Sequence, residues 1–201
     1  IRRNVLVTRV LEYLDQRQVI VVSGPAGLGK SAVVKNVIEL LRGDLFCLAF
    51  RAEEFATSHI DQTLQQAQAS VSAKQLLALL AAQGRKVILV ESVERLLEHS
   101  VRDAFSDLLR LARQDQSIQI ILTCRDYSLD TVLTSLLDPA ALGNTVLEVP
   151  PLTDEEMAQV VQVIPGLKRA VENAGLRKLL RSPYLLDKAA RMDWSETKTL
   201  P

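Results

Sequence analysis

Short apolar runs alternate with helical periodicities along this chain, and the alternation predicts an α/β domain built on a parallel sheet. Five runs read as buried strands: residues 19–22, 45–50, 87–90, 118–122 and 146–149. Most are continuously apolar and rich in β-branched side chains, as expected of strands covered on both faces. Val34, Val37, Ile38 and Leu41 recur at i, i+3, i+4, i+7, and Val101, Ala104, Phe105, Leu108 and Ala112 repeat such a face further on. A helix with Leu6, Val10 and Leu14 on one side precedes the first strand, and the polar stretch 51–70 reads as a loop with a short helix.

The pattern changes at Pro150-Pro151. No strand-like run follows, and the remainder reads as short helices. Thr153 and Glu156 form a capping box that opens one of them, because the threonine hydroxyl can accept from the Glu156 amide while the carboxylate reaches back. Further helices are expected over 167–173, 176–181 and 183–192, the last with Ser182 at the N-cap and Pro183 at the first helical position. The expected organisation is a sheet domain over 1–150 and a small all-helical part over 151–201, thin for an independent core and so expected to pack on the sheet domain or to continue further. Without an initiator methionine and with a polar C-terminus, the chain reads as a piece of something longer.

Composition narrows the class without naming a partner. With 48% hydrophobic and 24% charged residues the chain is an ordinary globular sequence, and a packed core is expected. Lys plus Arg (24) balance Asp plus Glu (24), so no whole-chain field draws it to nucleic acid or an anionic membrane. Cys47 and Cys124 are too few and too isolated for a disulfide framework or a Cys/His zinc site, and read as buried thiols in a reducing cytoplasm. No segment approaches the length of a membrane span. His59 and His99 are isolated and read as surface residues, and Trp194 as packed against a continuation of the chain.

One motif carries chemistry. Gly24, Pro25, Ala26, Gly27, Leu28, Gly29, Lys30 and Ser31 form a complete G-x-x-x-x-G-K-[ST] between a strand and an amphipathic helix that continues through Ala32. A phosphate needs a ring of backbone N–H donors at a helix N-terminus, glycines that let the main chain approach, and a cation. Lys30 supplies the cation, and the Ser31 hydroxyl is placed to be a direct Mg²⁺ ligand. The strand 87–90 ends in Glu91, where P-loop enzymes hold Mg²⁺ with an aspartate. Ser92 follows, and Glu94 is the next acid. Glu91 and Glu94 also suit a solvated helix start, where the dipole favours acids. The fourth strand runs into Thr123, Cys124 and Arg125, and either Thr123 or Arg125 can read a γ-phosphate there, although Arg125 could equally pair with Asp126 or Glu91.

In this order the motifs resemble the STAND-class NTPases, the signal-transducing relatives of AAA+ ATPases that include NACHT and NB-ARC domains. Glu91-Ser92-Val93-Glu94 is similar to the NACHT form of the Walker B segment, acid, tiny, apolar, acid. Leu122-Thr123-Cys124-Arg125 is similar to the family's sensor strand, and Pro151-Leu152-Thr153-Asp154-Glu155-Glu156 to the entry of its helical domain. Ser182-Pro183-Tyr184-Leu185-Leu186 resembles the proline motif that closes over the nucleotide, and Ile1-Arg2-Arg3 resembles the adenine-side lead-in. The resemblance implies a three-layer α/β/α P-loop NTPase fold with a five-stranded parallel sheet and a helical lid. It implies binding of ATP or ADP with Mg²⁺ through residues 24–32, Arg3 and Pro183, with Ser31 and Glu91 on the metal and Glu94 and Arg125 at the reacting phosphate. It also implies a nucleotide switch that forms a homo-oligomer when ATP-bound, with sensor and effector domains elsewhere, in a cytoplasmic signalling or defence protein. Glutamate at 91 with serine at 92 implies slow hydrolysis. A mechanical initiator-like AAA+ ATPase and a nucleotide-holding module without turnover are the alternatives.

Overall fold

In the computed structural model, residues 3–66, 72, 74, 75, 78 and 84–192 are described. Ile1, Arg2, Trp194 and the stretches 67–70 and 193–201 lie outside the described residues. The apolar runs form β1 (Val19–Ser23), β2 (Phe46–Arg51), β3 (Lys86–Glu91), β4 (Ile118–Cys124) and β5 (Asn144–Glu148). They pair in parallel in the order β2-β3-β4-β1-β5. β1 and β4 are buried at every residue and β3 at every residue but Glu91. Coverage on both faces does not extend to β2 and β5, which are largely half-exposed, because an edge strand has a neighbour on one side only.

Strand alternation sorts the side chains between two helical layers. Ile20, Val22 and Leu89 pack with Leu6, Val10, Val34 and Val37 of α1 (Asn4–Leu14) and α2 (Lys30–Leu41). Val19, Val21, Ile88 and Val90 pack on the other face with α3 (Ile60–Gln66), α4 (Asp103–Gln114) and α5 (Leu129–Val132), which runs on into a π-helical turn to Leu137. Phe55 sits edge-on between Phe50 and Phe105, at 5.2 and 5.9 Å between centroids. Val101 is not on the α4 face as expected: the helix begins at Asp103, Val101 is exposed, and Leu109 joins the buried set instead.

From Leu152 onward the chain has a core of its own, formed by Leu152, Met157, Val160, Leu167, Ala170, Leu180, Leu186 and Ala189. Most come from α6 (Asp154–Val163), α7 (Lys168–Glu172), α8 (Ala174–Leu180) and α9 (Pro183–Ala190), while Leu152 precedes α6 and Leu167 ends the 3₁₀ turn before α7. The capping box forms as expected: the Glu156 N–H donates to Thr153 Oγ1 at 3.2 Å and the Thr153 N–H to Glu156 Oε2 at 2.8 Å. Glu156 has a second duty. Its Oε1 accepts from Arg3 Nε at 2.9 Å, and the same buried guanidinium donates to the Pro150 carbonyl at 2.7 Å. Arg3 therefore ties the start of α1 to the segment joining sheet and helices.

At the end of the sheet away from the glycine-rich turn, Lys86 is buried and donates to Asp115 Oδ2 at 2.8 Å and Ser117 Oγ at 2.6 Å. These bonds lower the Asp115 carboxyl below its usual range. A depressed carboxylate contributes stability above its unfolded-state value and loses it as pH falls through the folded-state value. Asp115→Asn is expected to lower stability at neutral pH and to shrink the loss seen on acidification to about pH 3, as read by urea unfolding at the two pH values.

Candidate functional site

The turn from β1 into α2 is forced by backbone geometry. β1 emerges between β4 and β5, and the chain must reverse into a helix lying over the sheet. Gly24 has φ +150°, and a Cβ there would stand 2.9 Å from the Val149 carbonyl oxygen, so only glycine fits beside the end of β5. Gly29, at φ +90°, is the left-handed N-cap of α2. The first amides of α2 have no intrahelical partner and face the loop's concave side with the positive end of the helix dipole.

The loop borders a cavity of about 420 Å³ whose walls include Gly27, Gly29, Lys30, Ser31, Ser92, Glu94, Thr123, Cys124 and Arg125, with Pro183 and Tyr184 from α9. Lys30 Nζ donates to the Gly24 and Pro25 carbonyls at 2.6 and 3.0 Å. Burial lowers its pKa, while Glu94 and Asp126 support its charge. Glu94 is 7% exposed; its Oε1 lies 3.5 Å from Arg125 Nε, and its buried Oε2 has no hydrogen-bond partner. A buried carboxylate oxygen without a donor is costly, so this one fits a cation or a proton-bearing ligand in the cavity.

The backbone explains how Glu94 gets there. Ser92 adopts the left-handed conformation, φ +59° and ψ +48°, and its N–H donates to Thr123 Oγ1 at 2.8 Å. The kink turns the chain off the end of β3 and sends Glu94 inward. The tiny residue expected at this position is thus a backbone requirement. Glu91, one residue before the kink, instead borders a separate depression with Arg51, Glu53, Glu54 and Gln66. Thr123 is buried and acts on the Ser92 turn, and Arg125 reaches the cavity while Nη1 donates to Tyr127 Oη at 3.2 Å. Asp126 and Glu91 are not its ion-pair partners.

A second cavity, of about 330 Å³, lies between the start of α2 and helices α6 and α9. It is mainly apolar, with Ala32, Val33, Val160, Ile164, Pro183 and Leu186 in its walls and Arg3, Asn36, Gln159 and Asp187 as polar neighbours. Its apolar lining is of the kind that accepts an aromatic ring, and Gly29 and Pro183 border both cavities. The structure thus brings together Ala26, Gly27, Gly29, Lys30, Ser31, Glu94, Arg125 and Pro183 at one cavity and Arg3, Ala32 and Pro183 at the next, turns Leu28 into the core, and leaves Glu91 apart. Within the motif Ser182 to Leu186, sequence reasoning assigned only Pro183 to the nucleotide; that Ser182 and Tyr184 also meet the loop is visible only in the structure. His59 and His99 are exposed, and among the described residues no cluster of three or more His, Cys, Asp or Glu could hold a metal ion.

The sheet order, the glycine-rich turn and the converging strand ends define a P-loop NTPase fold. The family model for Novel STAND NTPase 1 matches residues 2–181, and the chain belongs to that family. Among solved structures, it is similar to the Aeropyrum pernix ORC2 protein in its ADP form, with TM-score 0.58 and 15% identity, covering 81% of this chain and 52% of that one. It is also similar to the Walker-type ATPase PABY2304 of Pyrococcus abyssi, with TM-score 0.57 and 15% identity, over 96% of this chain and 68% of that one. AMPPCP-bound DnaA from Aquifex aeolicus gives TM-score 0.54 and 18% identity, over 82% and 50%. The chain spans about half the length of the ORC2 and DnaA chains, and at these identities the likeness is one of fold. No curated protein matches it in sequence.

Cys124 shows how closed the inner wall is. Burial and the nearby Glu94 push its thiol up to about 12, so it carries no thiolate at neutral pH. Iodoacetamide is expected to label Cys47, which is half-buried, well before Cys124 in the folded protein, and both equally in denaturant. Peptide mass spectrometry after timed labelling reads the order.

Proposed function

We propose that the chain is the nucleotide-binding module of a STAND-type switch, taking ATP or ADP on the loop Gly24 to Ser31 and transmitting its state to the helical part. The observation that carries this reading is the shared wall: Pro183 and Tyr184 from α9 border the same cavity as Lys30, Ser31, Glu94 and Arg125. A ligand there touches sheet domain and lid together, so its identity biases the angle between them. The base would occupy the apolar cavity beside Pro183, and the phosphates the amide-lined one.

The donor set fits a magnesium nucleotide. Ser31 and the unpartnered Glu94 carboxylate border one cavity, and Lys30 brings the charge that terminal phosphates need. Bound Mg²⁺ would neutralise charge on the phosphate oxygens. Ser31 would hold it directly. Glu91, expected on the metal, opens onto the neighbouring depression, so its part is confined to the surrounding water. Glu94 accepts a proton from, or orients, a water near the terminal phosphate, and Arg125, released from Glu94, contacts the phosphate oxygens. With Glu91 away from the metal and serine at 92, hydrolysis is slow, as a switch requires.

The family resemblance extends the proposal to ATP-dependent homo-oligomerisation and to sensor and effector domains in the remainder of a longer, cytoplasmic signalling or defence protein, and the balanced charge argues against a nucleic-acid role for this part. No helix among the described residues is long and apolar enough to cross a membrane.

Lys30→Ala is expected to weaken binding of a fluorescent ADP analogue at least tenfold, while Glu94→Gln leaves binding within a few-fold and slows single-turnover ATP hydrolysis by about a hundredfold. Glu91→Gln is expected to change both less. Fast turnover in Glu94→Gln removes the assignment of Glu94, and wild-type protein that binds no nucleotide removes the switch. Sedimentation with ADP against a non-hydrolysable ATP analogue tests the oligomer: a larger species is expected with the analogue alone.

A further inference from the structure

Helix α9 starts without the cap its sequence promises. Ser182 occupies the N-cap position before Pro183, yet its hydroxyl makes no cap bond within the helix. It donates instead to the carbonyl oxygen of Gly27, at 3.2 Å. The Tyr184 N–H, one of the helix-start amides that has no partner within α9, donates to the same carbonyl at 3.1 Å. One carbonyl of the phosphate loop therefore performs the capping role for a helix more than a hundred and fifty residues later in the chain.

The fit is close. A Cβ on Gly27 would stand 3.1 Å from both Ser182 Oγ and Tyr184 Cβ, and one on Gly29 would stand 3.6 Å from Pro183 Cγ. Gly27 also sits at φ +80°. A trans peptide holds its carbonyl and its N–H in one plane, pointing in opposite directions, and the described residues contain no cis bond. Two donors on the Gly27 oxygen thus fix the direction of the Leu28 N–H, which belongs to the run of amides that turns around the loop.

We propose that Ser182 is a positioning residue for the phosphate site: with the Tyr184 amide it holds the Gly27–Leu28 peptide, and so makes phosphate binding and lid closure mutually dependent. When the lid is away, the peptide can rotate and α9 loses its cap. When a phosphate orders the loop amides, the Gly27 carbonyl is presented to α9. The coupling is reciprocal, as linkage requires. This inference rests on the switch reading above and adds the contact through which the switch acts.

The test compares wild type, Ser182→Ala and the hydroxyl-keeping Ser182→Thr, with MgADP as the probe. Three quantities are read: ADP affinity, the ADP-induced rise in Tm, and the lid-to-sheet distance by fluorescence transfer between labels on α9 and α1. Ser182→Ala is expected to bind MgADP about fivefold more weakly, with a smaller ADP-induced rise in Tm and a longer mean distance, and Ser182→Thr to restore all three. If Ser182→Ala lowers the Tm of the free protein but leaves ADP affinity, the ADP-induced rise and the distance unchanged, Ser182 is structural and the proposal falls while the switch reading stands. If wild type does not bind MgADP, both fall together.

Discussion

A chain leaving a strand buried between two neighbours must turn sharply before it can run back as a helix over the sheet, and here the turn has room for almost no side chain. At Gly24 the end of β5 stands where a Cβ would be, and at Gly27 helix α9 does. The turn is therefore a packing junction for strand, helix and lid as well as a ring of amides. Everything functional in the molecule is placed relative to it: Lys30 and Ser31 because they begin α2, Glu94 and Arg125 because β3 and β4 end on the same side, and Pro183 because α9 is capped by the loop.

The acids follow from the same economy of space. Of the two glutamates around Ser92, the left-handed kink turns one into the cavity and leaves the other outside it. The inward one is buried, with one oxygen 3.5 Å from Arg125 Nε and the other unpartnered. Burial, with Glu94 beside it, raises the Cys124 thiol and keeps it inert. The phosphate loop and the helical part also meet directly, through the two hydrogen bonds that Ser182 and Tyr184 donate to the Gly27 carbonyl.

Arg3 serves the other half of the lid's attachment. Expected beside the base, it borders the apolar cavity but directs its guanidinium to Glu156 and to the carbonyls around Pro150. Two contacts therefore flank the bend between sheet and helices, one through Arg3 and one through Gly27, on either side of Pro183.

The sequence by itself determined the parallel sheet, the phosphate loop and the capped helices, because each depends on residues close together in the chain: apolar runs, a glycine-rich turn between strand and helix, Thr153 with Glu156. The family resemblance rested on the same local patterns. Tertiary structure alone decided which strands became half-exposed edges, that Val101 stays off α4, that Glu94 faces the loop while Glu91 does not, and that Ser182 serves the loop and not its own helix. Each of these turns on what stands opposite a residue in space. A dihedral at Ser92, or a carbonyl at Gly27 meeting a helix start from the far end of the chain, leaves no periodicity behind it.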